Sequence, residues 1–358
     1  MGGELWAGVD DEGRRLDRLL RKLLPDMPLS GIHRLLRKKR VLVDGVPGRA
    51  DTRIRSGSKI TLPELAPSAL PSTLPTALPA SPVTAAVNGV IEPDVIREGS
   101  GLLILNKKAG LAVHGPDSLD EQVQAYLKGK LSPSLSFKSG PLHRLDKPTS
   151  GVVVFSLSLE GGRAFSALLR EHRLTKRYLA LADGVMPRGE TWEDALVRDQ
   201  GRGVTLAGEN GTAKPALTRV FSLAVNPGKG GNSLLLLETG TGRTHQIRAQ
   251  ASYHGHPLTG DRKYGGNFLA GGLLLHALSL GFPPLPRLEG EFSGLGRWEF
   301  WGKTFWAKVP ERFLGQIRRI FGEETLKKHD YFNHFSVDCG KIEYSDDISG
   351  PFLGPQAG

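Results

Sequence analysis

Four consecutive apolar residues, Val152–Phe155, directly follow a turn of polar and conformationally restricted residues. This junction constrains the fold more than any other stretch of the sequence. Pro148 has a locked φ and disfavours helical geometry for the residue before it. Gly151 ends the turn, and the apolar run after it is typical of a short, well-buried strand. We therefore expect a sheet in which the carboxylate of Asp146 sits on a stiff loop at the mouth of a core strand.

The position of Asp146 allows two interpretations. A carboxylate on a stiff loop beside a core strand suits a nucleophile or a base in a sheet-based enzyme. Alternatively, the side chain supports its own turn by accepting hydrogen bonds from the backbone of Thr149 or Ser150. The segment alone does not separate the two.

Size and composition narrow the class of protein. The 358 residues give room for two domains, and 39% of them are hydrophobic and 23% charged, as in soluble proteins. No apolar stretch is long enough for a transmembrane helix, and residues 1–15 lack the hydrophobic run of a secretory signal. The single cysteine, Cys339, excludes an intrachain disulfide and a thiolate metal cluster, which is consistent with the cytoplasm. The net charge of +10 favours a polyanionic partner.

Composition divides the chain into four predicted segments. Residues 1–62 form a small α/β module. Residues 63–93 are rich in Pro, Ala, Ser, Thr and Leu, with a proline at every fourth position from Pro67 to Pro79, which predicts a semi-extended tether. Residues 94–312 form the main domain. Residues 313–358 are predicted to be a terminal helix and an acidic tail that is disordered or loosely packed.

The N-terminal module combines two helical patterns with short strands. Leucines from Leu16 to Leu24 fall at helical spacing, and Ser30 is expected to cap a second helix. Val41–Val43 and Ile60–Leu62 are predicted strands, with Asp44-Gly45 as a hairpin turn. Nine Lys or Arg stand against two acids between positions 30 and 59, and five of these cations crowd the end of the second helix. The five are Arg34, Arg37, Lys38, Lys39 and Arg40.

Two explanations fit this cluster of cations. It can be an ordinary solvated face that also complements the helix dipole. However, the segments RLDRLL (15–20), LSGIHRLLRK (29–38) and VLVDG (41–45) together resemble the S-four RNA-binding domain, which is named for a ribosomal protein. The resemblance implies that the cations contact the phosphates of a structured RNA. Such contacts give salt-dependent affinity rather than base readout.

The main domain contains strands in series, often with short gaps between them. This pattern favours an α+β fold, with a mixed, mostly antiparallel sheet flanked by helices, over a doubly wound fold. Strands are predicted at 102–107, 152–155, 173–182, 217–224, 233–237, 272–280 and 305–309. Helices are predicted at 162–171, from the segment at 242 to about 254, and at 311–321.

Several kinds of active site have no support in the sequence. The ten histidines form neither HExxH nor another metal-ligand spacing. The glycine-rich stretch near Gly228 lacks the pattern of a nucleotide-binding loop, and no GxSxG elbow of a serine hydrolase occurs. What remains is a carboxylate, several arginines and a tyrosine.

Five motifs of the main domain carry a second resemblance. They are HRLDKPTSG (143–151), KRY (176–178), GRTHQIR (242–248), GHPLTGD (255–261) and LHA (275–277). In this order they resemble the pseudouridine synthases that modify large-subunit ribosomal RNA, in the branch with an HRLD motif. The resemblance implies that a uridine in RNA is flipped out, its glycosidic bond cleaved and a C-glycoside formed. It also implies that the reaction needs no cofactor and no metal.

The resemblance gives three residues catalytic roles. Asp146 is the catalytic carboxylate, acting as nucleophile or as base at the sugar. Arg248 is its charged partner, which would offset the cost of burying the carboxylate, unless it is only a surface helix residue. Tyr178 is expected to pack against the target uracil and to assist proton removal from carbon 5, unless it is only a core tyrosine.

Residues for substrate binding follow from the same motifs. Arg144 is expected to fill the stack that the flipped uridine leaves, unless it forms a salt bridge with a neighbouring strand. Four residues are expected to act through hydrogen bonds: His143, Asn106, His245 and His276. The reason is that a histidine inside a strand is more often a satisfied core residue than a catalyst. The set assigned to substrate binding is Arg144, Arg243, His143 and Asn106.

The functional expectation is a monomeric, cytoplasmic pseudouridine synthase that acts on large-subunit ribosomal RNA or its assembly intermediate, away from any membrane. Two alternatives stay open: the substrate is transfer RNA, or the chain is a non-catalytic RNA-binding or ribosome-assembly factor. The joint presence of Asp146, Tyr178 and Arg248 speaks against the non-catalytic factor. A glycosidase with paired carboxylates lacks an evident second acid.

Overall fold

The computed structural model describes residues 3–63, 92–208, 212–285 and 298–328. Apart from its ends, the predicted tether lies outside these residues, as does the acidic tail beyond residue 328. The chain forms two compact units. Unit 1 comprises residues 1–107, 111–145 and 153–170, and unit 2 comprises residues 108–110, 146–152 and 171–358. The predicted domain boundaries stay predictions.

The N-terminal part of unit 1 is a small sheet with two helices. Its elements are β1 Glu4–Trp6, a 3-10 turn Val9–Asp11, α1 Leu16–Leu23, α2 Leu29–Arg37, β2 Leu42–Val43, β3 Val46–Pro47 and β4 Lys59–Thr61. The strands are antiparallel in the order β1-β4-β2-β3. The leucines at helical spacing in α1 are buried in one core with Ile32 of α2 and Ile60 of β4. The predicted cap at Ser30 is wrong: Ser30 lies inside α2, whose N-cap is Pro28 in extended geometry.

A buried carboxylate joins this N-terminal part to a later loop of unit 1. Asp11 is fully buried, and its side chain accepts hydrogen bonds from Gly8 N at 2.9 Å and from Leu135 N at 2.8 Å. The hydroxyl of Ser134 donates to it at 3.0 Å, and the hydroxyl of Ser136 donates as well. Leu135 is itself buried in the core of the N-terminal part. Within unit 1 the N-terminal part is therefore fixed on this loop.

The remainder of unit 1 contains the largely buried strands β6 and β7 and the more exposed strand β5. Its elements are β5 Val95–Gly99, β6 Leu102–Lys107, α3 Leu119–Leu127, β7 Ser150–Ser156 and α4 Leu159–Arg170. β5 and β6 are antiparallel, and β6 lies between β5 and β7. Every residue of β7 is buried, as the apolar run in the sequence predicted. The first three residues of β7 belong to unit 2.

Unit 2 contains a mixed, mostly antiparallel sheet. Its elements are β8 Thr175–Asp183, β9 Glu190–Asp199, β10 Val204–Ala207, β11 Lys214–Asn226, β12 Asn232–Thr239, α5 Gln246–Tyr253, β13 Leu275–Gly281, β14 Thr304–Trp306, α6 Glu311–Phe321 and α7 Glu323–Lys327. The strand order is β10-β9-β11-β12-β8-β13, with antiparallel neighbours throughout. β14 pairs antiparallel with β13, whereas the start of β7 pairs parallel with it. The predicted α+β fold is confirmed.

Alternation along β8 distributes side chains to the two faces of this sheet. Leu179 and Leu181 lie in one core with Phe313 of α6. Ala180 and the residue two positions before it, Tyr178, lie in a second core with Ile247 of α5. Tyr178 therefore faces α5, the helix that carries the end of the GRTHQIR motif. No helix in the described parts of the chain is long and apolar enough to span a membrane.

His276 links β13 to its neighbours on both sides. Its side chain is fully buried; Nδ1 lies 2.8 Å from the Ser150 hydroxyl of β7, and Nε2 lies 3.2 Å from the Ala307 carbonyl. Because a carbonyl only accepts, Nε2 carries the proton and Nδ1 accepts from the hydroxyl. Burial lowers the pKa of His276 to about 4, so the ring is neutral at neutral pH.

This buried neutral histidine makes stability depend on pH. Its pKa is about 4 when folded and about 6.5 when unfolded, so the unfolded chain binds the additional proton as the pH falls below 6.5. The stabilisation is complete above that value and is lost progressively toward pH 4. Between pH 7 and pH 5 we expect His276 to lower the free energy of unfolding by about 2 kcal/mol. Chemical denaturation of the wild type and of His276→Asn at both pH values measures this difference.

The matched control is His172→Asn, which removes an exposed histidine of the same unit. It should keep the pH dependence of the wild type, whereas His276→Asn should flatten it. Equal pH dependence in all three proteins would contradict a neutral, buried His276.

Candidate active site

The loop that carries Asp146 is held by its backbone, which leaves the side chain available. Thr149 N donates to the carbonyl oxygen of Asp146 at 3.0 Å, and Gly110 N donates to that of Lys147 at 2.8 Å. Gly151 ends the turn at φ 114°, and a Cβ there would lie 2.1 Å from the Ala277 carbonyl oxygen of β13. Only glycine permits this close approach. The Asp146 side chain therefore does not support the turn, contrary to the alternative interpretation.

The turn before α5 is organised by a buried glutamine. Gln246 Oε1 accepts from Arg243 N at 3.0 Å and from the Thr241 hydroxyl at 2.7 Å. Its Nε2 donates to Leu217 O at 3.0 Å and to the Thr218 hydroxyl at 2.9 Å, both on β11. The first two bonds close the turn, and the last two fasten the start of α5 to β11. As a result, the helix residue two positions further on is presented at a fixed place.

That residue is Arg248, which is 6% exposed and lies between two carboxylates. Its Nη1 donates to Asp146 Oδ2 at 2.9 Å. Its Nε and Nη2 donate to the two oxygens of Asp261 at 2.7 Å and 2.8 Å, a bidentate pair. The guanidinium carbon also lies 4.9 Å from the ring centre of Tyr264. The predicted pairing of Arg248 with Asp146 is present, and Asp261 fixes the guanidinium that makes it.

Two opposing effects act on the pKa of Arg248. Burial lowers it, because a charged guanidinium is poorly solvated there. The hydrogen bonds and charges of Asp261 and Asp146 more than offset burial, so the pKa is raised overall. Arg248 is therefore cationic at every pH at which the protein is folded.

His245 approaches the same carboxylate oxygen from another side. Its Nε2 lies 3.6 Å from Asp146 Oδ2, and its Nδ1 lies 2.8 Å from the Tyr264 hydroxyl. Burial lowers the pKa of His245, and neighbouring cations lower it further against the opposing effect of Asp146. The ring is therefore neutral at neutral pH.

Hydrogen bonds decide which nitrogen of His245 carries the proton. Thr205 N donates to the Tyr264 oxygen at 2.7 Å, so the Tyr264 hydroxyl is free to donate to Nδ1. The ring proton is then on Nε2 and faces Asp146. His245 has φ 55°, a left-handed conformation that non-glycine residues adopt at an energetic cost and that is frequent at functional sites.

Tyr178 lies close enough to Asp146 to respond to its charge. Burial and, secondarily, the negative charge of Asp146 raise the pKa of Tyr178 to about 12. The phenol therefore keeps its proton at neutral pH. The three residues predicted to be catalytic, Asp146, Arg248 and Tyr178, thus lie together in unit 2.

The residues assigned to substrate binding belong to both units. Arg243, in unit 2, donates from Nε to the Pro215 carbonyl at 3.0 Å. Arg144 is exposed and belongs to unit 1. Their binding roles stay predictions.

His143 and Asn106 also belong to unit 1, where both have structural contacts. The His143 ring stacks on Phe165 with centres 5.7 Å apart, and its Nε2 accepts from Val154 N at 3.1 Å. Asn106 donates from Nδ2 to the Asp94 carboxylate at 3.0 Å. These contacts agree with action through hydrogen bonds, and the two assignments to substrate binding stay predictions.

Sequence reasoning gave no role to Asp261 or Tyr264. Asp261 ends the quoted GHPLTGD motif, and Tyr264 follows three residues later. Asp261 could have been found from its motif. It is an acidic residue in one of the five motifs, and Arg248 needed a carboxylate partner as well as Asp146. Tyr264 had no comparable signal.

The arrangement leaves one carboxylate oxygen available for chemistry. Both contacts of Asp146 use Oδ2, and in the described parts of the chain Oδ1 accepts no hydrogen bond. Among those residues, no three His, Cys, Asp or Glu side chains come together as a metal site. A carboxylate with one fixed and one open oxygen is suited to nucleophilic or general-base catalysis.

Comparison with known proteins identifies related sequences and structures. Residues 101–253 match the family described as RNA pseudouridylate synthase. Ribosomal large subunit pseudouridine synthase C of Vibrio vulnificus (strain CMCP6) is 32% identical over 262 residues, or 72% of this chain and 78% of the relative. The protein of that name from Pasteurella multocida (strain Pm70) is 31% identical over 73% of this chain and 77% of its own. The solved structure of Human RNA Pseudouridylate Synthase Domain Containing 4 is 24% identical, covers 63% of this chain and 92% of its own, and has a TM-score of 0.49.

The chain belongs to the RNA pseudouridine synthase family. This follows from the identity and the coverage of the bacterial relatives. The predicted family and enzyme class, isomerisation of uridine in RNA, are confirmed. The S-four resemblance of residues 1–62 stays a prediction.

The paired contacts of Arg248 make the role of Asp261 testable. Asp261→Asn keeps the shape of the side chain but removes the charge that fixes the guanidinium. We expect the rate of pseudouridine formation at saturating RNA to fall by about 10–100-fold, because small misplacements of catalytic groups are costly. Single-turnover conversion of an RNA substrate measures this rate.

Asp183→Asn is the control, since Asp183 is a buried carboxylate of the same unit that binds Thr259 and Asn267 instead. A rate for Asp261→Asn equal to that of the control would show that the guanidinium is positioned without Asp261.

Proposed function

We propose that this enzyme converts uridines of large-subunit ribosomal RNA to pseudouridine, with Asp146 acting at the ribose of a flipped nucleotide. The observation that carries the catalytic part is the 2.9 Å contact between Arg248 Nη1 and Asp146 Oδ2. It fixes the carboxylate through Oδ2 and leaves Oδ1 without a hydrogen bond from any described residue. The conformation of Asp146 is thereby set before the RNA binds.

The reaction requires only groups of this kind. The bond between C1′ of the ribose and N1 of the uracil breaks, the ring turns, and C5 joins C1′. One proton leaves C5 and N1 gains one, so the product has the atoms of the substrate. Asp146 acts as nucleophile at C1′ or as base at the sugar, and the other side chains hold the detached uracil and exclude water.

Tyr178 contributes through its ring rather than as an anion. With a pKa of about 12, its phenol is not a base at neutral pH. A protonated phenol on the α5 face of the sheet can pack against the uracil and donate a hydrogen bond. Assistance by Tyr178 in removing the C5 proton stays a prediction.

Reaching the ribose requires that the uridine leaves its stack. Arg144, two residues before the catalytic carboxylate, is exposed. An exposed guanidinium at this place in the sequence can occupy the space from which the nucleotide is flipped. This role rests on the family resemblance.

The choice of ribosomal RNA is supported by the relatives and by charge. Both bacterial relatives are named for the large ribosomal subunit. The five cations at the end of α2 are all exposed, with Lys39 at φ 54° in the turn, so they can face the phosphates of a structured RNA. The reaction is proposed to take place in the cytoplasm, on ribosomal RNA or on an assembly intermediate. A monomeric state stays a prediction.

Deleting the gene and mapping pseudouridines in total RNA tests substrate and chemistry together. We expect specific pseudouridines of large-subunit ribosomal RNA to disappear and to return with the wild-type gene but not with Asp146→Asn. The Asn variant cannot act as nucleophile or base, yet it should keep its affinity for RNA. Loss of transfer RNA sites instead would establish the alternative substrate. Full rescue by Asp146→Asn would contradict the catalytic assignment.

Neutralising the basic surface of α2 tests its role. We expect replacement of its five cations by Gln to weaken ribosomal RNA binding and to flatten the dependence of affinity on salt, because fewer counterions are released. Titrations of RNA fragments at several salt concentrations measure both. The surface has no RNA role if the slope stays that of the wild type.

A further inference from the structure

Two cations flank the turn between β9 and β10. A Cβ on Gly203, which has φ 63°, would lie 3.3 Å from Lys263 Nζ and 3.8 Å from Arg198 Nη2. Both side chains belong to exposed residues. The ammonium and the guanidinium therefore converge on one point at the surface of unit 2.

A series of contacts leads from this point to the active site. Arg198 is the direct partner of Thr205 across the β9–β10 ladder. Thr205 N donates to the hydroxyl of Tyr264, the residue that follows Lys263, and Tyr264 contacts His245. His245 lies 3.6 Å from Asp146. Along this path Tyr264 and His245 separate the two cations from the carboxylate of Asp146.

The charges of Arg198 and Lys263 act on His245. The charges of Arg198 and Lys263 add to burial in lowering the pKa of His245, which confirms that they are near it. Across the described ranges, neither cation has a carboxylate within ion-pair distance. Nearby acids are committed elsewhere: Asp199 pairs with Arg202, and Asp261 with Arg248. Two like charges held close without a counterion favour binding of an anion.

We propose that Arg198 and Lys263 together bind a phosphodiester of the RNA beside the flipped uridine, an inference that rests on the proposed function. Arginine offers a planar fork of donors, and lysine offers a compact charge, which suits them to different oxygens of one phosphate. Binding the backbone next to the target would hold the extruded nucleotide over Asp146 without reading its base.

The test compares two double variants of equal net charge. Arg198→Gln with Lys263→Gln removes the pair, and Arg219→Gln with Arg319→Gln removes two exposed cations from β11 and α6 of the same unit. Dissociation constants for a large-subunit ribosomal RNA transcript are measured over a series of salt concentrations, together with KM and kcat for its modification.

We expect the first variant to raise the dissociation constant and KM about tenfold, with kcat changed less than about twofold. The slope of log affinity against log salt should become shallower by about 0.7, the value for one phosphate of a single strand. Arg198→Lys with Lys263→Arg retains both charges and should retain most of the affinity. A merely structural role would not produce this salt signature or this rescue.

If the first variant and the control have equal affinity and equal slopes, the phosphate site is wrong. Failure of the proposed function has a different outcome, because the wild-type enzyme would then form no pseudouridine in the transcript. The binding comparison still decides the role of the two cations in that case.

Discussion

The guanidinium of Arg248 is the constraint on which the active site depends. It binds Asp261 through two nitrogens and Asp146 through a third, so one side chain fixes both acids. A buried guanidinium without partners would be costly, and the bidentate pair with Asp261 offsets much of that cost. The contact to Asp146 can therefore serve catalysis rather than stability alone.

The sheet of unit 2 brings these groups together by simple geometry. β8 places alternate residues on opposite faces, and Tyr178 falls on the face that α5 covers. Gln246 fastens the start of α5 to β11, so Arg248 comes to the same face. The close approach of Gly151 to β13 aims the loop of Asp146 at them. Asp146, Tyr178 and Arg248, the three candidate catalytic residues, thus come from a loop, a strand and a helix. The sheet fixes their positions relative to one another.

The sequence predicted which residues are candidates for catalysis, but it did not predict the residues that hold them in position. Motif order identified Asp146 and Arg248, because catalysis restricts both residue type and spacing. Asp261 received no role, since pairing between distant segments depends on the fold and not on local pattern. The β9–β10 hairpin was not predicted, because β9 carries charged residues that mask its alternation. Ser30 was misplaced as a cap because its local preference competes with Pro28, whose fixed backbone sets the start of α2.

The burial of Asp11 has a consequence for the ancestry of the chain. A module on a free linker makes no contacts that depend on the domain it is attached to. Here the module accepts hydrogen bonds from a loop of residues 134–136 and buries Leu135 in its own core. A transplanted N-terminal part would leave that leucine in water and would remove three of the four donors to the buried Asp11, keeping only Gly8 N. The two parts must therefore change together, so recombination between relatives should preserve them as one inherited block.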